Sequence, residues 1–254
     1  MKPLANQDHF RYVLRLGDTS LVLGQRLGEW VGHAPAIEED LGLANLSLDL
    51  LGQARLFLAY AGELEGAGRG EDELAFLRAE HEYSNVILAE QPNDDFGVTI
   101  VRQFLLDAWQ CELYQALCQS SDTRLAEIAA KSLKESRYHL RYSGGWLVRL
   151  GDGTDESHDR VQRALNFLWR HVGELFVADE LDEAVLAAGI GPDPRTLRAA
   201  WQRCVDDVLS QATLAQPPDT RPALMGKRGE HGEHLGHLLA QMQFMQRSYP
   251  GASW

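Results

Sequence analysis

Apolar residues recur at three- and four-residue spacing through most of the chain, and short runs rich in glycine, proline, serine, asparagine and aspartate interrupt them. The breaks fall at Gly32 to Pro35, Gly66 to Gly70, Gln91 to Asp94, Ser120 to Asp122, Gly151 to Asp155, Gly189 to Pro194 and Gln216 to Pro222. The spacing between them predicts helices near 8–31, 36–64, 72–89, 95–119, 123–149, 156–187, 194–214 and 231–247. Asp122 can cap the helix that follows it, and Asp193-Pro194 sets a cap before a proline that needs no N–H in a first turn. No segment alternates with the period of a strand, and no internal repeat or low-complexity tract is present. The expected class is all-α. The core is expected to be four antiparallel helices, 8–31, 36–64, 95–119 and 123–149, within one domain spanning 1–254. In that arrangement 215–254 forms a loop and a C-terminal helix packed back on the bundle.

Polar residues break the apolar faces at a few places. On 36–64, Ile37, Leu41, Leu48 and Leu51 line one side and Leu43, Leu46, Leu50 and Phe57 another. Asn45, Asp49 and Gln53 form a narrow stripe between them, which faces either the interior or solvent. On 95–119, Asp107 falls among Ile100, Phe104, Cys111 and Tyr114. On 123–149, Ser132, Ser136, His139 and Ser143 share a stripe with Leu125, Ile128 and Leu147. A buried carboxylate needs a partner, because an unpaired one costs several kcal/mol.

Three helices thus offer inward polar groups: Asp49 with Gln53, Asp107, and Glu135 with His139. Di-iron carboxylate bundles keep their metals in such a place, using one Glu from each of two helices and a Glu-x-x-His from each of two others. This chain lacks that set. Glu135 and His139 are four apart, Ser136 stands three before His139, and Asp49-Leu50-Leu51-Gly52-Gln53 contains no such pair. The donors are too few and too weak for two irons. No catalytic, cofactor-binding or metal-binding residue is therefore expected in this chain.

Composition narrows the classes further. Of 254 residues 44% are hydrophobic, enough for a sizeable core, and no apolar run reaches the roughly 18 residues that span a bilayer. The polar start from Met1 to Asp8 has no signal-peptide stretch, so a cytoplasmic location is expected. A net charge of −13 argues against nucleic-acid or anionic-membrane partners. Cys111, Cys118 and Cys204 are too few for a disulfide framework, and Cys111 and Cys118, seven apart, read as small core residues rather than a redox or metal pair. His231, His234 and His237 fan around a helix and lack the His-Glu-x-x-His pattern, so they read as a helix start or an interface rather than a zinc site. Lys227, Arg228, His231 and His234 are candidates for contact with a partner or with the phosphate groups of a ligand.

Several stretches together resemble the phenylacetyl-CoA epoxidase (phenylacetate-CoA oxygenase) subunits of bacterial aromatic degradation, the structural C type above all. They are Leu23-Gly24-Gln25-Arg26-Leu27-Gly28-Glu29-Trp30, Gly32-His33-Ala34-Pro35, Leu48 to Arg55, Glu90-Gln91-Pro92-Asn93, Lys134 to His139, Asp193 to Trp201, and His231-Gly232-Glu233-His234-Leu235. The resemblance implies a ferritin-like fold and a complex with a di-iron catalytic A subunit, a distant paralogue. That enzyme forms a ring epoxide from phenylacetyl-CoA, oxygen and reducing equivalents delivered by a reductase subunit. Against the catalytic paralogue's motifs, Leu50 and Gln53 replace the first Glu and His and Ser136 replaces the second Glu, while His139 and Asp107 persist. Asp49, Leu50, Gln53, Asp107, Glu135, Ser136 and His139 are then positions of a degenerate di-iron site. The leading expectation is a non-catalytic structural subunit that stabilises the A subunit, with other oxygenase and reductase subunits as further partners and a homodimer when isolated. The alternatives are an autonomous di-metal oxygenase or oxidase with non-standard ligands, and a free-standing scaffold.

Overall fold

The described residues of this computed structural model, 5–252, hold eleven α-helices, three 3-10 turns and no strand. The polar start at Met1 to Leu4 and the last two residues lie outside them. The chain is all-α and of the ferritin-like class. The described residues group into two compact units, one of 5–92 with 224–252 and the other of 93–223.

The first unit is built on α1 (Asn6–Glu29) and α2 (Ile37–Glu65), an antiparallel pair. Small residues let the two backbones approach. A Cβ on Gly17 would sit 2.8 Å from Leu58 Cδ2, and one on Gly24 3.2 Å from Leu50 Cβ. The Ser47 hydroxyl donates to the Gly24 carbonyl at 2.8 Å, which fixes the register. α2 ends at Gly66, whose φ of 69° closes the last turn with a backbone bond to Gly62. The side of α2 expected to pack through Ile37, Leu41 and Leu48 does not: these side chains are 71, 60 and 65% exposed. The buried side is carried by Leu43, Leu46, Leu50, Gln53, Ala54 and Phe57.

The helix expected over 72–89 is broken into α3 (Glu71–Phe76), a 3-10 turn at Glu80–Glu82 and α4 (Ile87–Glu90). The break has a polar cause. Arg78 turns inward and forms a buried ion pair with Asp18 of α1. Asp18 also accepts from the Ser84 N–H at 2.9 Å, which bends the following segment inward. Arg78 stacks on the Tyr83 ring, and the Tyr83 hydroxyl donates to the Ala75 carbonyl. The C-terminal part of this unit carries α10 (Glu233–Met242) and α11 (Phe244–Ser248), numbered after the five helices of the second unit. The single helix expected at 231–247 is thus split at Gln243, whose amide donates to the Arg78 carbonyl and the Tyr83 hydroxyl.

The second unit is built on α5 (Phe96–Leu117) and α6 (Thr123–Gly151). Asp95 caps the first through the Val98 N–H, and Asp122 caps the second through the N–H groups of Arg124 and Leu125. Asp107 meets Ser143 and Gln115 meets Arg137, so the pair is antiparallel. The stretch read as one helix over 156–187 becomes α7 (Asp155–Leu168), a 3-10 stretch at Trp169–Phe176 and α8 (Glu180–Ala187). The interruption carries Trp169 and Phe176 onto Trp201 of α9 (Pro194–Gln211), with ring centroids 5.6 and 5.1 Å apart. The Trp201 indole donates to the Leu105 carbonyl of α5 at 3.1 Å, so the aromatic cluster anchors α9 to α5.

Candidate functional site

α5 is apolar almost all round, and eighteen of its residues are buried, polar ones included. A helix in that position turns any polar side chain into a group that must find a partner inside. Asp107 finds two. Gln103, one turn earlier, donates its amide to Oδ1 at 2.7 Å, and Ser143 of α6 donates its hydroxyl to Oδ2 at 2.7 Å. His139 Nδ1 lies 4.0 Å from Oδ1, and all four side chains are fully buried. Burial pushes the Asp107 carboxyl up to about 6, against the pull of His139 and of the two hydrogen bonds.

Ser132 and Ser136 continue the α6 stripe and are fully buried, while Glu135 is half-buried and pairs with Lys131 at 3.4 Å on the outer side of the same helix. The structure therefore brings Asp107, His139 and Ser143 together and separates Glu135 from Asp107. On α2, Leu50 and Gln53 are fully buried and Asp49 is half-buried. Among the described residues, no three His, Cys, Asp or Glu side chains gather closely enough to hold a metal ion. As donors these residues are poor: both Asp107 oxygens serve neutral groups, Leu50 offers none, and Ser136 offers a hydroxyl. These residues do not fit a di-iron centre.

A second buried polar constellation lies in the unit of α1 and α2. His231 Nδ1 is 2.8 Å from Glu90 Oε2, and Nε2 is 2.9 Å from the Tyr83 carbonyl oxygen. The Gly232 N–H donates to Glu90 Oε1 at 2.8 Å, and the Asn85 amide donates to Oε2 at 3.0 Å. Arg26 of α1 donates to the backbone carbonyls of Glu90 and His234 at 2.8 and 2.9 Å. Glycines let the C-terminal segment 224–252 lie as a strap close against the stretch from Glu80 to Glu90. A Cβ on Gly226 would lie 2.2 Å from the Asn85 carbonyl oxygen, and one on Gly236 2.7 Å from Glu80 Oε2. Of the basic residues considered for partner or coenzyme contact, Lys227 and the His231 ring are buried, His234 is half-buried and Arg228 is exposed. The three cysteines are free, and burial pushes the Cys111 thiol up to about 12, which leaves it inert.

Sequence patterning pointed to Asp107, His139 and the serine stripe. It missed Gln103 as the partner of Asp107, although Gln103, Asp107 and Gln110 stand at i, i+4 and i+7 on one face of α5. It also missed that the segments containing Glu90 and His231 meet, since nothing in either segment encodes a contact 141 positions away.

Residues 1–254 match the family described as phenylacetic acid catabolic protein. The chain belongs to that family. It is 56% identical over 243 residues to the C subunit of 1,2-phenylacetyl-CoA epoxidase from Escherichia coli (strain K12), a match covering 96% of this chain and 98% of the relative.

Proposed function

We propose that this chain is the non-catalytic structural subunit of a phenylacetyl-CoA epoxidase, and that it binds and stabilises a di-iron catalytic subunit in phenylacetate catabolism. The observation that carries the reading is the 56% identity to an epoxidase C subunit along nearly the whole of both chains. The donor set supports the absence of chemistry here: a carboxylate spent on Gln103 and Ser143 is a poor start for two metals that activate oxygen. On this reading the chain carries no iron of its own. A cytoplasmic location accords with it, and no helix among the described residues is long and apolar enough to cross a membrane.

Binding needs an apolar surface, and α2 offers one. Ile37, Leu41 and Leu48 lie at i, i+4 and i+11, on one face of the helix, and all are mostly exposed. Glu38, Glu39 and Asp40 flank its start, so the partner surface is expected to present basic residues around an apolar centre. The test is reconstitution. With reductase and reductant supplied, the isolated chain should give no turnover of phenylacetyl-CoA, the catalytic subunit alone little, and the mixture full activity. Turnover by the isolated chain, or about two irons per chain after iron loading, would replace this reading with that of an autonomous di-metal oxygenase.

A further inference from the structure

The seam between α5 and α6 carries more buried polar atoms than its own side chains satisfy. Gln110 is 1% exposed, and neither its amide nitrogen nor its oxygen has a hydrogen-bond partner among the described residues. The hydroxyls of Ser132 and Ser136 are in the same position, and so is the amide oxygen of Gln103. A buried donor or acceptor left unmade is costly, and five such atoms would consume a sum comparable to the whole stability of a domain. A row of orphaned atoms along one seam calls for a ligand.

The chemistry of the atoms says what the ligand is. They are neutral hydroxyl and amide groups, donors and acceptors mixed, with one carboxylate at the end of the row. A metal ion wants converging anionic or carbonyl oxygens and no N–H donor. A carboxylate or phosphate would meet Asp107. Water both donates and accepts, is small enough to sit between side chains, and needs two to four polar partners. The pattern also gives it a track. Ser132, Ser136, His139 and Ser143 run at i, i+4, i+7 and i+11 on α6, and Gln103, Asp107 and Gln110 run at i, i+4 and i+7 on α5. Pairing Asp107 with Ser143 in antiparallel register sets Gln110 level with His139, and Ser136 a further turn along. Serine side chains are smaller than the leucines that usually fill such a stripe.

We propose that the α5–α6 seam binds a file of ordered water molecules, running about 16 Å from the level of Ser132 to Asp107. The file completes the hydrogen bonds of Gln110, Ser132, Ser136 and Gln103, while Asp107 keeps Gln103 and Ser143 as its donors. It gives the unit a hydrated spine.

A crystal structure of the full-length protein at about 1.5 Å, with anomalous data, tests the placement. Peaks without anomalous signal within about 3.2 Å of the Gln110 amide and of the Ser136 hydroxyl are expected. Metal density in the seam, or Gln110 and the serines bonded directly to other side chains with no peak between, would overturn the proposal. In solution, water-oxygen magnetic relaxation dispersion counts long-lived internal waters. Gln110→Leu with Ser136→Ala should lower that count, while Arg228→Ala on the exposed loop leaves it unchanged. A count that stays the same in a folded Gln110→Leu, Ser136→Ala protein sinks the idea; if that pair unfolds the chain, Ser132→Ala alone gives the same reading.

Discussion

His231 and Glu90 are held 2.8 Å apart with the imidazole spent at both ends, because Nε2 is 2.9 Å from the Tyr83 carbonyl. A carbonyl oxygen only accepts, so Nε2 carries a proton. One further proton lies between Nδ1 and the carboxylate. The pair is thus neutral as a whole whichever atom holds that proton, which is what makes it tolerable in a buried place.

The pair is also the clasp between the C-terminal segment and the segment ending at α4. His231→Ala would leave Glu90 buried with the Gly232 N–H and the Asn85 amide as its donors. Breaking a buried pair from one side costs about 3–5 kcal/mol. Chemical denaturation should show a loss of that size, and Glu90→Gln combined with His231→Ala should cost less than the two single changes summed. Additive losses would mean that the two side chains do not act as a pair.

Backbone approach at Gly226 gives an independent check on the same strap. A methyl group there would sit 2.2 Å from the Asn85 carbonyl oxygen, a backbone atom that cannot swing aside. Gly226→Ala should therefore destabilise by about 1–3 kcal/mol as the strap lifts. Gly52→Ala on α2, where a Cβ meets nothing within 4 Å, should cost nothing and serves as the reference. Differential scanning calorimetry of both variants settles the comparison, and equal melting temperatures would contradict the packing described for the strap.

Asp107 sets a pH dependence of known sign. Its carboxyl titrates at about 3.9 when the chain is unfolded and at about 6 when folded. Between these values the folded state binds more protons, so stability falls as pH rises through the window and levels off above it. The difference is worth about 3 kcal/mol in total. Asp107→Asn removes the titration while keeping a polar group of the same shape next to Ser143 and Gln103. Subtracting the denaturation profile of that variant from the native one should leave a slope confined to about pH 4–6. A flat difference would show that Asp107 is solvated more fully than its surroundings imply.

The fold class was legible because helical periodicity and turn residues agree along most of the chain: the caps Asp122 and Asp193 sit where the pattern placed helix starts. The failures have identifiable causes. The stretch around Arg78 reads as helix, yet the ion pair with Asp18 and the bond from Ser84 to the same carboxylate outweigh local propensity. Ile37, Leu41 and Leu48 read as core because periodicity reports an apolar face and not what covers it. At the candidate site, Asp107 and His139 stand out in the sequence as ionisable residues on apolar stripes, whereas Gln103 and Gln110 carry no acid–base signal to mark them.

The same exposed stripe supplies the last prediction, which rests on the proposed role as a structural subunit. Ile37, Leu41 and Leu48 contribute little to this chain's own core, so Leu41→Asp with Leu48→Asp should leave its melting temperature nearly unchanged. If the stripe is the centre of the surface that meets the catalytic subunit, the same two changes place charges in a desolvated patch, where single side chains commonly carry about 2 kcal/mol or more of binding. Affinity for the catalytic subunit should then fall by roughly 30-fold or more, and epoxidase activity of the mixture should fall at subsaturating concentrations and recover as this chain is raised. Arg228→Ala, on the other exposed candidate surface, serves as the contrast. Loss of affinity in Arg228→Ala with none in the α2 variant would move the interface to the C-terminal strap, and loss in neither would remove both surfaces from the contact.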